Sequence, residues 1–143
     1  MYRNILVSID LDDPSDLGTT LTRAAELTQA TPGAKLHVLT VLPPFGMSIV
    51  GSFFPKDFEH EVAQKLMARL RAEVDPRLPE GMRCQHIVGE GSIYETVLRI
   101  AREIKSEVIV IGAHRPELAD YLLGPNAARV VRHATCSVLV VRG

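Results

Sequence analysis

Tryptophan is absent from this chain, and aromatic residues make up only 5% of it. Cysteine is scarce as well: Cys84 and Cys136 are the whole supply, and neither belongs to a Cys-x-x-Cys pair. That argues against a disulfide framework and against a cysteine metal cluster. Both thiols read as buried or neutral groups in a reducing compartment. An excess of positive charge is also missing. With 16 Lys and Arg against 17 Asp and Glu, the formal charge is −1 and the pI about 6.5. Without a basic field, sequence-independent binding to nucleic acid or to an anionic membrane surface is not expected. No apolar run approaches the roughly 18 residues that a membrane span needs. Residues 1–5 run into a strand with no apolar leader segment, so the expected location is the cytoplasm.

What is present is an ordinary core. Of 143 residues, 46% are hydrophobic, enough for one domain that buries about two-thirds of its unfolded surface. Residues 5–9, Ile-Leu-Val-Ser-Ile, form a nearly continuous apolar run, as in a strand covered on both faces. Asp13, Pro14 and Asp16 follow: an N-cap acceptor, proline at the first helical position and acid in the first turn. Leu17, Leu21, Ala24, Ala25 and Thr28 then mark one helix face, and Thr31-Pro32-Gly33 ends it. Residues 36–42 read as a second strand, and residues 56–74 as a helix striped by Phe58, Val62, Leu66 and Leu70. Residues 83–88 read as a third strand. Ser92 and Glu95 have the spacing of a capping box, opening a helix faced by Ile93, Val97, Ile100, Ala101 and Ile104. Residues 108–111 and 137–141 are the fourth and fifth strands. The helix between them carries Ala127, Val130, Val131 and Ala134. Residues 43–55, with Gly46, Gly51, Ile49, Val50, Phe53 and Phe54, are too apolar for a free linker. A packed loop, and a flap or partner contact, remain open readings.

Strand and helix thus alternate. That implies an α/β fold of a single domain, an open five-stranded parallel sheet with helices on both faces and right-handed crossovers. In such a sheet ligands sit beyond the carboxyl ends of the strands. The candidates there are Asp10, Val41, residues 89–91 and Gly112. Asp10 can accept from a sugar hydroxyl or an adenine amino group, or it can simply close a turn. Gly112 leaves room for a ligand against the backbone. Gly124 reads as a residue that enters a helix in a conformation denied to most others. The next helix then points free N–H groups, from about Asn126 to Ala128, at whatever lies above it. His37, His60, His86, His114 and His133 are scattered; only His114 falls on the candidate loop, and no metal site is expected. No Gly-x-Ser-x-Gly and no phosphate-loop lysine is present, so no catalytic residues are assigned.

These residues carry a resemblance. Asn4-Ile5-Leu6-Val7-Ser8-Ile9-Asp10, Leu36-His37-Val38-Leu39-Thr40-Val41, Gly89-Glu90-Gly91-Ser92, Gly112-Ala113-His114, Tyr121-Leu122-Leu123-Gly124 and Ser137-Val138-Leu139-Val140-Val141-Arg142 together resemble the universal stress protein, or UspA-like, family over essentially the whole chain. The resemblance implies strand order 3-2-1-4-5 and an ATP site, with AMP or ADP as related ligands and Mg²⁺ as a candidate companion. It implies no redox cofactor. By position, Ser8, Ile9, Asp10 and Val41 would meet the adenosine. Ile111, Gly112, His114, Arg115, Gly124, Pro125, Asn126 and Ala127 would meet the ribose and phosphates. It also implies a stress-linked sensor or scaffold that dimerises through Ser137, Val138, Leu139, Val140 and Val141.

The chain departs from the family's Gly-x-x-Gly-x9-Gly-Ser/Thr pattern in three places. Arg115 stands at the second glycine, the spacer to Gly124 is one residue short, and Pro125 replaces the Ser or Thr. Proline suits a first helical turn but has no N–H. Arg115 can supply a bidentate phosphate contact or remain a solvated loop residue; both readings stay open. A nucleotide-free interaction module and a slow ATP hydrolase are the alternative functions.

Overall fold

The computed structural model describes residues 1–42, 58–113 and 123–143. Residues 43–55, read above as a packed loop or flap, lie outside the described residues, as do His114 and Arg115. Five strands are observed: β1 (Asn4–Ser8), β2 (Lys35–Leu42), β3 (Cys84–Glu90), β4 (Val108–Gly112) and β5 (Ser137–Val141). They form one parallel sheet, as strand-helix alternation predicts, in the order β3-β2-β1-β4-β5 that the family resemblance implies. The helices are α1 (Leu21–Gln29), α2 (Phe58–Val74), α3 (Ile93–Glu103) and α4 (Pro125–His133).

The central strand shows why the sheet must be covered twice. Ile5, Leu6 and Val7 point alternately to opposite faces, yet each is 0% exposed. On one face Ile5, Val7, Leu36, Val38 and Val110 pack with Leu21 and Ala24 of α1 and Leu70 and Val74 of α2. On the other, Leu6, Leu39, Ile109 and Ile111 pack with Val97, Ile100 and Ala101 of α3 and Ala127 and Val130 of α4. Truncating one of the fully buried side chains, Leu6 for example, to alanine would cost about 2–5 kcal/mol.

The first helix departs from a regular one. Asp13 caps it as anticipated: its Oδ1 accepts from Ser15 N–H at 2.9 Å. Before α1 proper, however, Asp16–Thr20 forms a π turn, with the N–H of Leu21 bonded to the carbonyl of Asp16. Such single-turn π insertions admit one extra residue into a helix. At α3 the helix starts directly after Ser92, but the Ser92 hydroxyl makes no capping hydrogen bond. Thr96 Oγ1 instead donates to Glu90 O at 3.3 Å.

The amino ends of the strands are closed by polar groups. The Glu107 carboxylate accepts from the backbone N–H of Arg3 and Asn4, at 2.7 and 3.0 Å. The Asn4 amide donates to the carbonyls of Ile104, the C-cap of α3, and of Lys105 in the turn that follows it. That fixes Asn4 Oδ1 as an acceptor, so His37 donates to it from Nε2; burial lowers the His37 pKa. This histidine is structural.

Candidate functional site

Strand order reverses between β1 and β4, and the helices that come after them, α1 and α4, pack on opposite faces of the sheet. A crevice opens there, as it does in other doubly wound sheets. Its volume is about 600 Å³, within the range of small-molecule sites. Ser8, Ile9 and Asp10 line it from the end of β1, Val41 from β2, Ile111 and Gly112 from β4, and Gly124, Pro125, Asn126 and Ala127 from the start of α4. Ten of the twelve residues singled out from the sequence therefore meet in one place. The other two, His114 and Arg115, lie outside the described residues.

Each of these residues arrives through a local cause. Asp10 is exposed at the end of β1. Its Oδ1 accepts from Asp12 N–H at 2.9 Å and its carbonyl from Asp13 N–H at 3.0 Å. So Asp10 closes a turn and lines the crevice as well; the two readings of it are compatible. Pro125 is the first residue of α4 and Gly124 its N-cap. The N–H groups of Asn126 and Ala127 have no acceptor within the helix, whereas Ala128 N–H reaches Gly124 O at 3.0 Å. Gly124 differs from expectation: its φ of −62° and ψ of 158° are open to any residue. Its conformation does not require glycine.

Sequence reasoning missed part of the lining. Asp12, Asp13, Pro14, Asp16, Thr40 and Ile93 also face the crevice. Asp16 is the most informative. Its Oδ2 accepts from Asp10 N–H at 2.7 Å and its Oδ1 from the Thr20 hydroxyl at 3.0 Å. It is 9% exposed, and burial pushes its carboxyl up to about 6, against the pull of those two hydrogen bonds. In the sequence it marks only an acid in a first helical turn. The π turn rotates it inward, and π turns have no residue signature that would have announced this.

The electrostatics are one-sided. Asp10, Asp12, Asp13 and Asp16 all line the crevice, and among the described lining residues none carries a positive charge. Arg69 of α2 approaches from outside, pairing with Asp12 at 2.9 Å and donating to Leu11 O at 3.0 Å. Such a lining suits a hard cation, or an anion that arrives with one, better than a bare polyphosphate.

An open parallel α/β domain with a crevice at its switch point defines a broad class, and sequence comparison narrows it. The pattern of the universal stress protein family matches residues 1–142, and the chain belongs to that family. Universal stress protein G of Escherichia coli O157:H7 is 32% identical over 149 residues, covering 99% of this chain and all of the relative. Among solved structures, that of protein MJ0577, a universal stress protein of Methanocaldococcus jannaschii, superposes with a TM-score of 0.74 at 23% identity, over 100% of this chain and 97% of the other. A universal stress protein in complex with cAMP superposes with a TM-score of 0.69 at 20% identity, over 98% and 97% of the two chains. These structural likenesses speak for the fold.

Proposed function

We propose that this chain binds an adenine nucleotide, ATP or a relative such as ADP, AMP or cAMP, in the β1–β4 crevice and acts as a stress-linked sensor or scaffold. One observation carries the reading. Residues chosen from three separated stretches of sequence, around 8–10, 111–112 and 124–127, line a single cavity at the switch point. The cAMP complex of a protein with this fold supports the ligand class. Asp10 is positioned for the adenosine, and the N–H groups of Asn126 and Ala127 for phosphate oxygens at the positive end of α4. The four carboxylates favour a nucleotide carrying Mg²⁺, the cation whose chemistry fits oxygen donors.

Calorimetric titration of the chain with ATP, AMP and cAMP, each with and without Mg²⁺, tests the proposal. Saturable heat for at least one of them is expected. No heat and no thermal shift at millimolar nucleotide would overturn it. A second reading, a nucleotide-free interaction module of the same fold, is favoured by Pro125, which supplies neither N–H nor hydroxyl, and the same titration separates the two. Phosphate release that copurifies with the protein and disappears in Gly124→Val would instead favour slow hydrolysis.

The assembly we propose is a cytoplasmic homodimer formed through β5. Among the described residues this strand is at the sheet's edge, bonded to β4 alone, and its Leu139 is 39% exposed. An apolar edge of that kind recruits another strand.

A further inference from the structure

At the end of the sheet opposite the crevice, three side chains of different chemistry converge. Cys84 and His86 are two apart on the edge strand β3, so they project from the same face, the one that packs against α2. Asp75 opens the single 3-10 turn, Asp75–Arg77, that follows α2. His86 Nε2 lies 2.7 Å from Asp75 Oδ1 and 3.4 Å from Cys84 Sγ. The three donor atoms all lie within 4.8 Å of one another. We propose that Asp75, Cys84 and His86 form a binding site for one divalent transition-metal ion, with zinc the best match.

The chemistry of the donors selects the metal. A thiolate and an imidazole are poor ligands for Mg²⁺ or Ca²⁺ but suit Zn²⁺, Co²⁺ and their neighbours. Tetrahedral zinc places a sulfur and a nitrogen ligand about 3.5 Å apart, and a nitrogen and an oxygen ligand about 3.4 Å apart. The sulfur–nitrogen pair is already close to that spacing. The Asp75–His86 hydrogen bond would open by several tenths of an ångström to admit the ion. His86 would then carry its proton on Nδ1, leaving Nε2 free to ligate. Burial holds the Cys84 thiol at about 11, so the ion must displace that proton, which works against binding.

Other features favour occupancy. The His86 side chain is 7% exposed and that of Asp75 54%, so one wall is fixed while the other opens to solvent. Three protein ligands leave a fourth position for water. The site lies at the carboxyl end of α2, the negative end of its dipole. With Asp75 and a Cys84 thiolate, the ligand set carries two negative charges against the ion's two positive ones. Arg71 is the basic group felt at Cys84. A bound ion would tie the turn after α2 to the edge strand.

The test uses the full chain, reduced and freed of metal by chelator, titrated with Co²⁺ and followed by absorption. A thiolate-to-cobalt charge-transfer band saturating at one equivalent, and abolished by one equivalent of Zn²⁺, is expected. Cys84→Ser should lose the band and Cys136→Ser should keep it. His86→Gln and Asp75→Asn should each weaken Zn²⁺ binding by about tenfold or more, and circular dichroism would establish that each variant folds. Should Cys84→Ser not fold, the His86 and Asp75 variants decide the matter. Absence of the band, its survival in Cys84→Ser, its loss in Cys136→Ser, or unchanged Zn²⁺ affinity in the His86 and Asp75 variants would each overturn the proposal. Asp10→Ala should leave the band intact, which keeps this result separate from the nucleotide reading.

Discussion

Asp16 occupies the space beside Gly112: a Cβ atom at residue 112 would lie 2.5 Å from the Asp16 Oδ1 and 3.0 Å from Thr20 Oγ1. The glycine is thus required by a neighbouring carboxylate of the same chain, whatever lies above it. Gly112→Ala is expected to lower stability by about 1–3 kcal/mol, as overpacking does, read by urea denaturation. In an Asp16→Ala background the same change should cost at least about 0.5 kcal/mol less. Additive effects would show that the two residues do not share the space.

Stability should carry the signature of Asp16 as pH changes. Its folded pKa of about 6 lies above the ordinary 3.8, so the folded state holds the proton more tightly than the unfolded one. The contribution therefore favours folding below about pH 4 and is lost as pH rises through about 6. It amounts to at most about 3 kcal/mol. Measured by denaturation from pH 4 to 8, wild type should lose stability relative to Asp16→Asn across that window. A difference that stays flat with pH would show that the carboxyl titrates normally.

Pro125→Ser restores an N–H and adds a hydroxyl at the start of α4, where the crevice is lined. One or two such hydrogen bonds contribute about 0.5–1.5 kcal/mol each. ATP affinity should rise by about twofold to tenfold for one such bond, and by up to about a hundredfold for two, by calorimetry. Unchanged or weaker binding would mean that phosphates do not lie over this turn.

Leu139→Lys places a charge on the exposed edge strand, the substitution that edges use to resist pairing. Light scattering at micromolar concentration should report a dimer for wild type and a monomer for the variant. A wild-type monomer would remove the assembly proposal, and a variant dimer would move its interface elsewhere.

Much of this architecture was legible in the sequence, for physical reasons. Continuous apolar runs such as residues 5–9 occur where a strand is buried on both faces, and Ile5, Leu6 and Val7 are. Punctuation by Pro125 and by Asp13-Pro14 located helix starts to within a residue or two. The crevice followed from the strand order that the family resemblance implies, because topology decides where carboxyl ends gather. What stayed hidden depends on contacts between distant segments. The inward turn of Asp16 arises from an i to i+5 hydrogen bond that no residue type demands. The meeting of Asp75 with Cys84 and His86 has no spacing signature, because a helix end and a strand supply them separately. The glycine at 124 was assigned a conformational reason that its φ and ψ do not bear out.

The π turn of residues 16–20 is an ordinary helix with one residue to spare. Excising Gly18, where an added Cβ would meet nothing within 4 Å, should let the helix close its normal ladder. Each residue of an α-helix advances about 100° around the axis, so everything before the excision would swing by that angle relative to α1. Asp16 would turn away from Gly112, and the loop it anchors through Asp10 would come loose. The geometry of the crevice is thus set by a count of residues in a neighbouring helix as much as by the chemistry of the side chains that face it.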